Sequence, residues 1–169
     1  AVVAVLAVVG FWLTARRKAG PRLPAQLHKG RPLPDFEALD ENGRVVGSGQ
    51  LRGKPTALIF VRGNWCPFCT RQVEQLASHY REMTDLGARL VFVTPKPIET
   101  TKRVADFFKV DFEYWLDEDL NAARQLGLLL SDGVPASHAS EYGADTMWPA
   151  TFIIDSEGII RFARLSRYI

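Results

Sequence analysis

Cysteine is nearly absent: the 169 residues hold two, Cys66 and Cys69, three positions apart. A disulfide-stapled scaffold needs several bridges spread along the chain, so that class is excluded. A zinc ribbon needs a second Cys-x-x-Cys or two histidines at ligand spacing. The three histidines, His28, His79 and His138, are scattered and supply neither, so no metal is expected. Strong charge of one sign is also missing. The formal net charge is +2, yet residues 1–34 hold six basic side chains and no acid, which leaves fifteen basic against nineteen acidic residues in the remainder. A mildly acidic body offers nucleic acid no electrostatic footprint, and that partner is set aside. No internal repeat or low-complexity tract is visible.

The apolar run AVVAVLAVVGFWL at 1–13 is shorter than the ~20 residues a spanning helix needs. It begins with Ala rather than Met and is followed by TARRK. Residues 1–15 therefore read as the tail of a membrane anchor or uncleaved signal, with a signal-peptide core as the alternative. Basic residues straight after such a run favour a cytoplasmic C-terminal side. Residues 16–34 carry four prolines and read as an extended linker, leading into a folded body over 35–169.

Within the body, DFEALDENGRVV predicts a β-hairpin turning at Glu41-Asn42-Gly43. TALIFV (56–61) and ARLVFVT (88–94) are continuous apolar runs of strand length, suited to burial on both faces of a sheet. Between them Val73, Leu76, Tyr80 and Met83 recur at three- and four-residue steps, which predicts one amphipathic helix ending near Gly87. A helix over 99–109, a short strand at 112–116 and a helix capped by Asp117 or Asp119 and ending at Gly127 follow. Residues 131–147 read as an irregular loop bordering the active site, and TFIID and IIRFARL as a closing hairpin about Ser156-Glu157-Gly158. The class is α/β, a mixed central sheet flanked by helices with an N-terminal β-hairpin.

The order strand, short loop, CPFC, helix places Cys66 at a helix N-terminus, with Pro67 at the first helical position. Free backbone N–H groups and the helix dipole favour negative charge there. Such a site lowers a thiol pKa, and the thiolate is the nucleophile. Cys69, one turn on, is close enough to bridge Cys66. Cys66 is thus expected to form a mixed disulfide that Cys69 resolves, with no cofactor beyond the Cys66–Cys69 disulfide. As a mere staple the pair would constrain little chain. Trp65 is either a cover over the thiol or a large residue at a strand end, and Phe68 suits packing or surface contact.

At RGNWCPFC, together with LPDFEALDENGRVV, LRGKPTALIFV and WPATFIIDSEGIIRF, the sequence resembles the thioredoxin superfamily. The nearest branch is the redoxins, which include the AhpC/TSA family and the membrane-tethered thioredoxins of bacteria. The resemblance covers 33–165 and is weakest over 95–147. It implies a thioredoxin-like fold, a protein dithiol or disulfide partner, and a domain tethered to the bacterial inner membrane on its periplasmic side. It also implies that Pro149 is a cis-proline facing the dithiol and that Trp148 docks substrate backbone. Without the resemblance, Pro149 is a plain strand-start proline.

Departures from the family's patterns shape the expectation. Peroxiredoxins place threonine or serine three residues before the peroxidatic cysteine and a proline four before that. If Cys69 takes that position, Cys66 replaces the threonine and Arg62 the proline, while Pro149 stands where their arginine would be. Dithiol exchange is therefore expected over peroxide reduction, with a thiol peroxidase or a tethered redox-sensing module as alternatives. Thioredoxin's buried aspartate is replaced by Phe60, leaving Glu37, Glu141 and Asp145 as candidates to deprotonate Cys69.

Overall fold

A computed structural model describes residues 22–63, 65–96, 106–107, 109 and 111–166. The anchor expected over 1–15 and most of the helix expected over 99–109 lie outside them. Among the described residues no helix is long and apolar enough to cross a membrane.

The N-terminal hairpin pairs β1 (Glu37–Leu39) with β2 (Val45–Gly47). Its turn is held by the Asp40 carboxylate, which accepts from the backbone N–H of Asn42 and Arg44 at 2.7 and 2.9 Å. Next comes β3 (Thr56–Phe60), every residue of which is buried. The helical region after the cysteines is two helices, α1 (Pro67–Ser78) and α2 (Tyr80–Asp85), rather than the single helix expected. His79 breaks them: at φ −105°, ψ 5° its N–H turns back to the Leu76 and Ala77 carbonyls. The chain continues through β4 (Arg89–Thr94), β5 (Glu113–Leu116) and α3 (Asn121–Leu126). The buried Asp117 carboxylate starts α3, accepting from Ala122 and Ala123 N–H at 2.9 Å each, and α3 ends at Gly127 in the left-handed region.

Residues 131–147 are more ordered than the loop expected. They carry α4 (Ala139–Tyr142), flanked by a two-stranded ribbon of β6 (Leu129–Leu130) and β7 (Thr146–Met147). The closing hairpin is β8 (Ala150–Ile154) and β9 (Ile160–Leu165). The main sheet runs β2-β1-β5-β4-β3-β8-β9, with β3, β4 and β5 parallel and the other pairings antiparallel.

Alternation along the central strands splits the core in two. Leu58 and Phe60 of β3, with Val91 and Val93 of β4, face the larger cluster, which includes Trp115, Leu126 and Phe152. Ala57, Ile59, Leu90 and Phe92 face the other side, where Val73 of α1 and both cysteines pack.

The extended linker expected over 16–34 is corrected in its described part. Leu27, in a 3-10 turn at Ala25–Leu27, is fully buried in the larger cluster. Gly30 N–H donates to Ile160 O at 2.7 Å, Ile160 N–H to Arg31 O at 2.9 Å and Leu33 N–H to Gly158 O at 2.9 Å. An apolar anchor and these bonds fix this stretch to the start of β9, so the body begins before residue 35.

Candidate active site

The site grows from the end of β3. Val61 N–H still bonds Val93 O, and the chain then leaves the sheet through Arg62 and Gly63 to Trp65. Cys66 is the N-cap of α1, extended at φ −90°, ψ 107°, and Pro67 takes the first helical position as expected. The Cys66 sulfur does what a serine or aspartate oxygen does at other N-caps. It accepts from Cys69 N–H at 3.4 Å. Both cysteines are free thiols.

Arg62 brackets the pair. Its backbone N–H donates to Cys69 Sγ at 3.5 Å, and its guanidinium Nη2 to Cys66 Sγ at 3.3 Å. The two thiols titrate as a pair. The Cys69 thiol, its backbone N–H and Arg62 together bring Cys66 down to about 5, against the desolvation that opposes them. Cys69 is driven the other way, first by sharing its proton with Cys66 and then by burial. The two directions together favour the proton on Cys69 over Cys66.

Both sulfurs are buried: Cys66 is 0% exposed and Cys69 is 3% exposed. The residue before them sits among aromatic rings. Trp65 lies over the Arg62 guanidinium, 4.7 Å from ring centroid to Cζ, and stacks on His138 at 5.9 Å with planes 21° apart. Tyr142 meets Trp65 edge-on at 6.3 Å. Trp65 is thus held by α4 and the turn before it, and it packs against the cluster that contains both cysteines. Lys96, 7% exposed, ties α4 down by an ion pair to Glu141 and by lying 4.2 Å from the Tyr142 ring centroid.

The other expected residues separate. Pro67 is exposed and Phe68 is half exposed, both on the outer side of the helix start. Trp148 packs on the larger core cluster, its N–H donating to Leu128 O at 2.7 Å. The cis-proline is corrected: the Trp148–Pro149 peptide is trans. The chain runs on into β8 with Pro149 O accepting from Ser166 N–H at 2.8 Å, and trans is the favoured X–Pro form. Pro149 is buried and lines a groove of about 330 Å³ with Gln72 and Gln75, one and two turns along α1 from Cys69. Gln72 Nε2 ties that groove together by donating to Thr151 Oγ1 of β8 at 2.7 Å.

None of the three carboxylates considered for Cys69 bonds it. Glu141 pairs with Lys96, Asp145 accepts from Asp132 N–H, and Glu37 is exposed on β1. Each is held elsewhere by its own element, and the group at Cys69 is the Cys66 sulfur. Arg62, now central, was legible only as a guanidinium directly after an all-apolar strand, a place where a charge needs a reason.

A seven-stranded mixed sheet whose central strand leads into a helix capped by a cysteine pair defines a thioredoxin-like redoxin. The chain belongs to the AhpC/TSA family, whose model matches residues 29–163. It is 30% identical to the thiol:disulfide interchange protein DsbE of Yersinia pestis, over 93% of this chain and 76% of that one. It is 26% identical to the chloroplastic peroxiredoxin Q of Sedum lineare, over 81% and 68% respectively. The fold superposes on the crystal structure of peroxidoxin BcpB from Mycobacterium tuberculosis with a TM-score of 0.68 at 20% identity, covering 84% of this chain and 88% of that one.

Proposed function

We propose that this redoxin is a thiol–disulfide oxidoreductase in which Cys66 is the nucleophile and Cys69 the resolving thiol. One observation carries the reading: Cys66 Sγ, at a helix N-cap, accepts from Cys69 N–H at 3.4 Å and from the Arg62 guanidinium at 3.3 Å. Cys66 as thiolate attacks a disulfide and forms a mixed disulfide, expelling one thiolate. Cys69 then loses its proton, attacks the Cys66 sulfur and frees the second thiol. The match to a thiol:disulfide interchange protein supports a protein partner. Trp65 and α4 must open for a partner sulfur to reach Cys66, and Trp148, Pro149 and the groove beside them suit its backbone.

The peroxiredoxin Q match and the buried thiol favour a second reading, peroxide reduction. Against it, if Cys69 takes the peroxidatic position, it is the sulfur that Cys66 and burial push away from the thiolate form. The reading also includes a tether: residues 1–15 anchor the domain, on the periplasmic side of a bacterial inner membrane. The apolar run at 1–13, followed at once by TARRK, supports it.

The test is trapping. Cys69→Ser should accumulate a mixed disulfide at Cys66 with a protein substrate, Cys66→Ser should not, and only the wild type should catalyse insulin reduction by dithiothreitol. Peroxide consumption far above that of free thiols, dependent on Cys69, would replace the proposal by a peroxidase. Carbonate extraction of membranes, leaving the chain in the pellet, checks the tether.

A further inference from the structure

Among the described residues Arg62 has no carboxylate partner. It is 3% exposed, and no described group accepts from its Nε. An uncompensated buried charge is strongly destabilising, whereas a paired one is tolerated. Among the described residues, the group positioned to balance Arg62 is the Cys66 sulfur, 3.3 Å from Nη2 and itself fully buried. That balance exists only when the sulfur is a thiolate. In the Cys66–Cys69 disulfide the negative charge is gone, and the guanidinium loses that counter-ion.

We propose that Arg62 is a catalytic counter-charge that stabilises the reduced pair over the disulfide, so that this couple serves as an oxidant of partner dithiols. The inference rests on the exchange chemistry proposed above and adds its direction. A substrate thiolate attacks Cys66 of the disulfide, forming a substrate–Cys66 bond while the Cys66–Cys69 bond breaks and Cys69 takes up a proton. The second substrate thiolate attacks its own half of the mixed disulfide and expels Cys66 as thiolate back onto Arg62. Two electrons pass from the substrate to the pair. Of the two substrate protons, one stays on Cys69 and one goes to solvent. Stabilising the reduced form is the general route to a strongly oxidising dithiol.

The proposal is tested by equilibrating the full chain with glutathione at fixed pH. In Arg62→Gln the constant for forming the disulfide should rise tenfold or more, a shift of about 30 mV toward reducing. Arg62→Lys, which keeps the charge, should recover part of it. Because oxidising the thiolate form consumes one proton when glutathione disulfide is the oxidant, the wild-type constant should fall tenfold per pH unit between pH 6 and 8. In Arg62→Gln the pH at which that slope sets in should move up. A measurement on the wild type alone guards against a variant that does not fold: the reduced protein should melt at a higher temperature than the oxidised. The inference fails if Arg62→Gln keeps the wild-type constant within twofold while still forming the disulfide, or if the oxidised form melts higher. Absence of any Cys66–Cys69 disulfide in the wild type would instead remove the exchange reading itself.

Discussion

At the scale of single residues, the site is a helix cap whose capping atom titrates. An unfolded chain carries Cys66 with a pKa near 8.5, whereas the folded reduced protein holds it at about 5. Between those values the unfolded state binds more protons than the native state, so stability rises with pH, by at most about 1.4 kcal/mol per unit. Thermal melts of the reduced protein should therefore move upward from pH 5.5 to 8. The gain is lost as pH falls toward 5, and above about 9 the proton retained by Cys69 reverses the trend. Cys66→Ser and the disulfide form should lack the rise, and a wild-type melting temperature flat across this window would mean that Cys66 is not the acidic thiol. Much of this was legible in the sequence, since strand, loop, CPFC and helix fix which cysteine caps the helix. What the sequence hid was three-dimensional: the guanidinium on the sulfur, the complete burial of Cys66, and the trans peptide before Pro149, each set by packing that no local spacing encodes.

At the scale of elements, long apolar runs were readable and short polar ones were not. β3 and β4 are buried on both faces, which leaves an uninterrupted hydrophobic signature. The residues of β6, α4 and β7 have no such signature, being two to four residues long and held by contacts to other segments. Yet α4 carries the ring that packs on Trp65, and its seat explains Gly63. That residue sits at φ +123°, and a Cβ there would lie 2.5 Å from Tyr142 Cε1. Gly63→Ala therefore carries both backbone strain and a clash with a ring braced by Lys96. The expected outcome is an α4 displaced from Trp65, so that Cys66 reacts several-fold faster with a bulky aromatic disulfide reagent while its rate with iodoacetamide changes less. Tyr142→Ala, which removes the ring without straining the backbone, should act in the same direction. Unchanged reagent selectivity in both variants would show that α4 does not control access.

At the scale of the whole molecule, the sheet separates two ends. The dithiol lies beyond the C-terminal end of β3, whereas the 24–34 segment binds at the opposite end, where Ile154 of β8 pairs with Thr56 of β3 and Ile160 of β9. Three prolines and no periodicity made that segment read as linker, because a single buried leucine and a few backbone bonds leave no pattern in sequence. Its docking shortens any tether: from residue 15 to Ala25 the chain spans at most about 35 Å, against roughly 70 Å if everything to residue 35 were free. Leu27 decides between strap and linker. If residues 24–34 were a linker, Leu27→Ala would change stability by no more than about 0.5 kcal/mol. Fully buried in the larger core cluster, it should instead cost about 2–5 kcal/mol, read as a lower urea midpoint at unchanged slope. The same variant should leave the thiolate absorbance titration of Cys66 where it was, because the sheet stands between the two sites. A midpoint within error of the wild type would return the segment to a linker, and a moved titration would mean that strap and dithiol communicate through the sheet.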